Sequence, residues 1–255
     1  MGDFTEQQIH RYARHILLPE VGGVGQSKLL AAKVLVIGAG GLGSPLILYL
    51  AAAGVGTIGV VDDDHVELSN LQRQILHGTA DIGRAKVDSA VASVAAINPD
   101  VRIVPHELRL TAENIAGLIA DYGLVADGSD NFATRFLVND AARAAGKTLV
   151  SAAVLRFEGQ ISTFKPGGPC YRCLHPDELS DADAPNCGQA GVFGAMVGVM
   201  GSLQAMEVLK EVLGIGDSLS GSLLLVDGLS TAFRKVRLSR DPACSCCGEE
   251  THRHV

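Results

Sequence analysis

Residues 33–43 read KVLVIGAGGLG, and this stretch decides the fold. The apolar, largely β-branched run VLVI predicts a strand that is buried on both faces of a sheet. A tight turn from strand to helix requires positive φ angles and close backbone approach, which glycine allows. The spacing G-x-G-x-x-G, with one more glycine inside it, supplies such a turn through Gly38, Gly40, Gly41 and Gly43.

The residues after the turn predict a helix whose first turn can bind phosphate. Ser44 can cap this helix, Pro45 suits its first position and Gly54 can end it. The free N–H groups and the positive dipole end of a helix N-terminus favour an anion. A second strand, residues 57–62, ends in an acid, and together these features predict a nucleotide site. A tight turn without a ligand is the alternative.

The composition predicts a globular chain with a large core. The 255 residues are 47% hydrophobic and 19% charged, and the net charge of -7 argues against nucleic acid as a partner. We find no signal peptide and expect a cytoplasmic protein. Residues 191–213 are apolar, but Gln204, Glu207 and Lys210 interrupt them, which favours a buried amphipathic helix over a membrane span.

Strand and helix patterns alternate up to residue 154, which predicts an α/β fold: a Rossmann-like, doubly wound, mostly parallel sheet. Later strand patterns extend this sheet with antiparallel strands. We expect one domain with an N-terminal helical segment (1–30), a nucleotide-binding core (31–165) and a C-terminal region (166–255). The strands predicted after the glycine turn are 57–62, 101–107, 124–127, 148–154, 159–165, 222–227 and 231–238.

Asp62 ends the predicted second strand, 19 residues after Gly43. An acid at this position can accept hydrogen bonds from ribose hydroxyls. A capping or loop acid is the alternative. Spacing alone leaves open whether Asp62, Asp63 or Asp64 faces the sugar.

Two motifs place cations soon after the second strand: SNLQRQ, which ends at Gln74, and GRAK, which ends at Lys86. A dinucleotide dehydrogenase has no need of Arg73, Gln74 and Lys86 here, whereas a triphosphate needs cations at fixed points. A solvated helix face is the alternative for Arg73 and Lys86. Asn70 can contact a phosphate or cap the short helix that we predict around residues 70–77.

The motif DGSDN, residues 127–131, follows a short buried strand. In an open parallel sheet, the loops beyond the carboxyl ends of the strands form the ligand crevice. Asp127 and Asp130 can hold Mg²⁺, which binds few carboxylates and keeps water and phosphate oxygens. Asp130 can instead cap the helix predicted at residues 131–145.

Two C-x-x-C pairs, Cys170/Cys173 and Cys244/Cys247, stand out among the six cysteines. Without a secretion signal, such pairs bind metal more often than they form disulfides. Two redox-active dithiols are the alternative. Cys246 is an additional thiol that can compete as a ligand.

Taken together, GAGGLG, VDDDHVELSNLQRQ, GRAK, DGSDN and the paired C-x-x-C motifs resemble the ubiquitin-activating-enzyme-like adenylyltransferases, in particular their bacterial MoeB and ThiF branch. RYARHILLPEVGGVGQ, residues 11–26, resembles the start of that branch. The resemblance covers almost the whole chain. It implies that ATP adenylates the C-terminal Gly-Gly carboxylate of a ubiquitin-fold sulfur carrier and releases pyrophosphate. The acyl-adenylate then becomes a thiocarboxylate in molybdopterin or thiamine biosynthesis.

The resemblance also implies roles for individual residues. Asp62 matches the ribose-binding acid, and Asp130 matches the Mg²⁺ ligand. Arg14 matches an arginine that reaches into the ATP site of the opposite subunit, which implies a homodimer, although His15 replaces a glutamine that is common beside it. Without the resemblance, Arg14 is a surface charge. The residues at phosphate-binding positions are Asn70, Arg73 and Lys86.

For the cysteines, the resemblance implies a structural zinc site that is closed by four thiolates and leaves no open position for catalysis. Cys187, in NCGQAGV, matches the thioester or sulfur-transfer cysteine, and a loop thiol without a catalytic role is its alternative. The sequence has no rhodanese domain, so we expect a separate sulfur donor. The zinc ligands are Cys170, Cys173, Cys244 and Cys247. They all lie in residues 166–255, which we expect to form the zinc and carrier-binding region.

Other functions remain open at this point. An NAD-dependent oxidoreductase would use the same glycine turn with Asp62 on the ribose, but it leaves Arg73 and Lys86 unexplained. A non-catalytic carrier-binding module would keep the nucleotide as structure. Adenylation of a small amide or a tRNA on the same scaffold is a third possibility, and the negative charge disfavours tRNA.

Overall fold

The computed structural model describes residues 4–176 and 190–248. Its strands are β1 (Lys33–Ile37), β2 (Thr57–Val61), β3 (Arg102–His106), β4 (Leu124–Asp127), β5 (Thr148–Leu155), β6 (Glu158–Phe164), β7 (Ser222–Asp227) and β8 (Ala232–Arg237). They form one eight-stranded sheet with the order β3-β2-β1-β4-β5-β6-β7-β8. Neighbours from β3 to β5 are parallel, and neighbours from β5 to β8 are antiparallel. This confirms the expected parallel sheet with an antiparallel C-terminal extension.

Helices cover both faces of the sheet. They are α1 (Glu6–Ile16), α2 (Gly22–Ala31), α3 (Gly43–Ala53), α4 (Lys86–Ile97), α5 (Ile115–Ala120), α6 (Phe132–Ala144), α7 (Tyr171–Leu174) and α8 (Gly194–Leu213). Single 3-10 turns lie at Leu68–Asn70 and Thr79–Asp81.

The first strand is buried on both sides, as its apolar run predicts. Val34 and Val36 pack into the core cluster formed with α3, α4 and α8. Leu35 and Ile37 point to the opposite face and pack with α5 and α6. Side chains alternate between the two faces of a strand, so a strand between two helical layers requires a continuous apolar run.

The long helix α8 is buried against the sheet and carries buried polar side chains. Gln204 Nε2 donates to the carbonyl oxygens of Asp127 and Val150, at 2.8 and 3.1 Å. Glu207 Oε2 accepts from Thr163 Oγ1 at 3.2 Å. These bonds satisfy polar groups inside the core and confirm the expected buried amphipathic helix. None of the described helices has the length and apolarity needed to cross a membrane.

Three local predictions have different outcomes. Gly54 ends α3 in the left-handed region with φ 83°, as expected. The predicted Ser44 cap is wrong: α3 already begins at Gly43, and Ser44 Oγ donates to the carbonyl of Gly40 at 2.7 Å inside its first turn. The short helix expected at residues 70–77 is also wrong. Only the 3-10 turn Leu68–Asn70 forms, and single turns follow it: Arg73 and Gln74 donate to the carbonyl of Asn70, and His77 donates to that of Gln74.

Candidate active site

One cavity of about 590 Å³ opens at the carboxyl ends of β1, β2 and β4. This is the edge at which ligands bind in open parallel sheets. Its volume lies within the range of small-molecule sites. The predicted site residues that line it are Gly38, Gly40, Gly41, Asp62, Arg73, Gln74, Lys86 and Asp130.

The other predicted residues lie elsewhere. Gly43 supports the turn from behind, since a Cβ there would lie 1.9 Å from the carbonyl oxygen of Gly38. Asn70 belongs to the 3-10 turn and is outside the described lining of the cavity, and its phosphate role stays a prediction. Arg14 is exposed on α1, also outside that lining. Cys187 lies outside the described residues.

The glycine turn is fixed by hydrogen bonds to Ala39, the residue between Gly38 and Gly40. Its N–H donates to Asp62 Oδ2 at 2.7 Å. The second oxygen of Asp62 accepts the N–H of Asp64 at 2.9 Å. Gly38 takes φ 89°, a conformation that glycine adopts without strain. The acid at the end of β2 therefore supports the turn as well as lining the cavity.

Burial raises the pKa of Asp62, and the nearby Lys86 ammonium opposes that shift. Lys86 itself is buried, with Nζ 4.0 Å from Asp62 Oδ1 and 2.7 Å from Asp64 Oδ2. Lys86 begins α4, so its backbone is held by the helix while its side chain lies beside the cavity. A buried cation on the cavity wall is suited to bind an anionic ligand.

The segment with Arg73 and Gln74 packs against the glycine turn and lines the cavity beside it. Arg73 Nη1 donates to the carbonyl of Ser69 at 3.1 Å, and its Cγ would lie 3.8 Å from a Cβ on Gly41. Gln74 is buried, and its Oε1 has no hydrogen-bond partner among the described residues. The guanidinium of Arg73 on the cavity wall fits an anionic ligand such as a nucleotide triphosphate.

The two acids of the DGSDN loop have different places. Asp127 is fully buried, and its carboxylate accepts hydrogen bonds from the hydroxyls of Ser129 and Ser151, at 2.7 and 3.0 Å. It therefore stabilises the loop, and the expectation that Asp127 holds Mg²⁺ is wrong. Asp130 is exposed and lines the cavity. The side chain of Asn131, and not that of Asp130, caps α6.

Sequence reasoning missed two buried polar residues near the cavity. Arg135 donates to the carbonyl of Ala152 at 2.8 Å and to that of Ser129, and it lies 3.8 Å from Asp127. It joins the DGSDN loop to β5. His77 contacts the glycine turn through the carbonyl oxygen of Ala39. Neither residue belongs to a recognisable motif, because its partners are distant along the chain.

The four predicted metal ligands come together. Their sulfur atoms, on Cys170, Cys173, Cys244 and Cys247, all lie within 4.8 Å of one another. The Sγ atoms of Cys170 and Cys244 are 3.6 Å apart, and those of Cys173 and Cys247 are 3.4 Å apart. Four sulfurs around one tetrahedral zinc ion at about 2.3 Å would be ~3.8 Å apart, so the set fits zinc.

The surroundings of this cluster suit thiolate ligands. The N–H of Asp241 donates to Cys173 Sγ at 3.4 Å. Such N–H bonds to a ligating sulfur orient the ligand. Cys246 packs against the cluster and contacts Cys170, but it is not one of the four sulfurs that lie within 4.8 Å of one another, and its Sγ lies 3.6 Å from Asn139 Nδ2. The structure therefore favours the two C-x-x-C pairs over Cys246.

Comparison with known proteins agrees with this geometry. The ThiF family matches residues 12–246. The sulfur carrier protein adenylyltransferase of Thermus thermophilus is 49% identical over 97% of this chain and 93% of its own length. The adenylyltransferase and sulfurtransferase MOCS3 of Sus scrofa is 52% identical over 96% of this chain, which spans 54% of that protein. The crystal structure of E. coli MccB with succinimide shares the fold, with a TM-score of 0.82 and 23% identity over 93% of this chain and 74% of that one.

Proposed function

The chain belongs to the ThiF family, and from this premise we propose that it adenylylates the C-terminal glycine carboxylate of a ubiquitin-fold sulfur carrier with ATP. The observation that carries the proposal is the position of Arg73 and Lys86 on the walls of the cavity that contains the glycine turn. A triphosphate needs cations at fixed points, whereas a dinucleotide oxidoreductase leaves them without a function.

The proposed ATP site uses the residues that line the cavity. Gly40 and Gly41 precede the N-terminus of α3, where N–H groups and the helix dipole favour phosphate. Arg73 and Lys86 are the phosphate-binding cations, and Asp62 is the ribose-binding acid. The match to the family motif also gives Asn70 a phosphate contact, which its side-chain N–H₂ can donate while its Oδ1 accepts the N–H of Glu67.

The reaction requires no side-chain nucleophile. An oxygen of the carrier's terminal carboxylate attacks the α-phosphorus of ATP. The bond from this phosphorus to the bridging oxygen of the β-phosphate breaks, and pyrophosphate leaves with the electron pair. No proton moves in this step. The product is a mixed anhydride of the carrier and AMP, which has a good leaving group and accepts sulfur more readily than a carboxylate does.

The main barrier is the approach of two anions, so positioning and electrostatics dominate catalysis. Arg73 and Lys86 offset this repulsion from the walls of the cavity. Asp130 is exposed at the cavity and is the residue that would hold Mg²⁺. When bound, Mg²⁺ neutralises charge on the phosphate oxygens. One carboxylate is enough, because Mg²⁺ completes its shell with water and phosphate.

The remaining parts of the proposal concern the assembly. In the proposed homodimer, Arg14 completes the ATP site of the second subunit. This role requires an exposed side chain, and Arg14 is exposed on α1. A zinc ion would hold Cys244 and Cys247 to Cys170, at the N-terminus of α7, and Cys173, within α7. A separate protein donates sulfur, and Cys187 is a candidate to transfer it. We place the enzyme in the cytoplasm, in molybdopterin or thiamine biosynthesis.

ATP–pyrophosphate exchange tests the function. Purified carriers with a C-terminal Gly-Gly from the two pathways are added separately, and each is matched with a carrier that lacks the terminal glycine. We expect exchange with at least one intact carrier and none with its truncated form. ATP binding without exchange for any carrier would favour the non-catalytic binding module, and tight NAD binding without ATP binding would favour the oxidoreductase.

A further inference from the structure

His77 is a buried histidine that contacts the glycine turn. Its Nε2 lies 2.9 Å from the carbonyl oxygen of Ala39, and its Nδ1 lies 2.8 Å from Ser89 Oγ. A carbonyl oxygen only accepts hydrogen bonds, so Nε2 must carry the hydrogen. In the neutral ring, Nδ1 then accepts from the Ser89 hydroxyl. The two contacts together select one tautomer and one ring orientation.

Burial keeps the ring neutral near pH 7. Burial is the main cause and lowers the pKa of His77, and the bond to Ala39 opposes the shift. Lys86 lowers the pKa further, whereas Asp62 and Asp81 raise it. The ring therefore acts as a fixed donor to the turn.

The bond from His77 determines the direction of a peptide unit. The carbonyl of Ala39 and the N–H of Gly40 belong to the same planar trans unit, so they point in opposite directions. Because the carbonyl points at buried His77, the N–H of Gly40 points away from it. Gly40 lines the cavity. Glycines on both sides of Ala39 make rotation of this unit easy, so an external constraint is needed.

His77 also connects the turn to the cationic wall of the site. It follows Arg73 and Gln74 in the same segment, and its own N–H donates to the carbonyl of Gln74 at 3.1 Å. At the other end of this residue, the N–H of Ala39 donates to Asp62 Oδ2 at 2.7 Å. The glycine turn is thus fixed from the Arg73 segment on one side and from β2 on the other.

We propose that His77 is a positioning residue for adenylyl transfer, which holds the Ala39–Gly40 peptide so that the Gly40 N–H faces the phosphates of the bound nucleotide. The inference rests on the proposed ATP site. On this inference, His77 contributes to the binding of the phosphates. The adenosine part of the ligand is bound independently of His77.

The test compares ATP with adenosine. In His77→Leu, which has no donor, we expect ATP affinity by calorimetry to fall more than 10-fold while adenosine affinity changes less than twofold. In exchange assays kcat should fall at least 30-fold, and the KM of the carrier should stay constant. In His77→Gln, whose side-chain amide can still donate to Ala39, most of the loss should be recovered. His106→Leu is the matched control, because that half-buried histidine bonds Tyr122 and is outside the cavity lining.

The possible outcomes separate this inference from the proposed function. Unchanged ATP affinity in folded His77→Leu would overturn it, and so would equal losses for ATP and adenosine. If His77→Leu does not fold, Ser89→Ala provides the test: freeing the ring should weaken ATP three- to tenfold, and an unchanged affinity would count against the inference. Wild-type protein that binds ATP but supports exchange with no carrier would refute the proposed function. The comparison of ATP with adenosine binding in His77→Leu would still test the role of His77.

Discussion

Lys86 Nζ lies 2.7 Å from Asp64 Oδ2, so the buried cation of the cavity is paired with an acid. The two side chains differ in exposure: 6% for Lys86 and 68% for Asp64. Leaving Lys86 unpaired would be unfavourable because burial penalises a lone charge. Asp64 therefore compensates the charge of Lys86, the same charge that a phosphate would use.

This pairing predicts that Asp64 competes with ATP. Replacing it in Asp64→Asn removes the competing charge, and we expect ATP to bind roughly threefold more tightly, in line with the small energies of partly exposed ion pairs. Calorimetry with ATP measures the change. Asp63→Asn is the control, since it removes an equal charge from the same cavity lining. Weaker ATP binding by Asp64→Asn than by Asp63→Asn would show that Asp64 itself holds the nucleotide.

Arg73 and Lys86 should contribute to the transition state. We expect Arg73→Ala and Lys86→Ala each to reduce ATP–pyrophosphate exchange by about 10²–10³-fold, the range for lost electrostatic stabilisation. Circular dichroism should show a retained fold. Arg84→Ala is the matched control for the GRAK motif, because its side chain is 44% exposed and pairs with Asp81 on the surface. Normal turnover in both variants would reject their phosphate roles.

Local sequence patterns were sufficient for the framework of the site. The buried strand, the glycine turn and the acid at the end of β2 are determined within residues 33–62, and the structure places them as expected. The cysteine pairs were also predictable, because C-x-x-C is a local spacing that brings two sulfurs together. In each case the signal lies within one short segment.

The missed residues depend on contacts between distant segments. His77 meets Ala39 across 38 positions, and Arg135 meets Ala152 across 17. Whether a polar side chain is buried with partners depends on tertiary packing, which a single sequence does not display. The helix wrongly expected at residues 70–77 is replaced by single turns, and His77 at the end of this segment bonds the carbonyl of Ala39 in a distant segment.

Stability at mildly acidic pH should depend on His77. Burial lowers the pKa of His77 in the folded protein below its ordinary value of 6.5. As the pH falls below about 6.5, the unfolded chain binds a proton that the folded protein does not, so the free energy of unfolding falls by at most ~1.4 kcal/mol per pH unit. The stability contributed by neutral His77 is fully present above about pH 6.5. It is lost as the pH falls toward the lowered pKa of His77 in the folded protein.

Urea denaturation at pH 5 and pH 8 measures this effect. We expect the difference between the two free energies of unfolding to be smaller in His77→Gln than in the wild type, because glutamine does not titrate. His10→Gln, which replaces an exposed histidine on α1, is the comparison. Equal pH dependence in His77→Gln and wild type would mean that folding does not lower the pKa of His77, and the shift attributed to its burial would then be wrong.

Zinc should bind to four of the five described cysteines, and the fifth provides the control. Cys247 is fully buried within the four-sulfur cluster, whereas Cys246 is a neighbour outside it. We expect one zinc ion per chain by metal analysis. Cys247→Ser should lose the zinc and melt roughly 10 °C lower, a size typical of a lost structural metal. Cys246→Ser should keep both the zinc and the melting temperature.

Since a site closed by four thiolates has no open position, adenylation should fail in Cys247→Ser only to the extent that the fold is lost. Zinc loss in Cys246→Ser with retention in Cys247→Ser would reverse the ligand assignment.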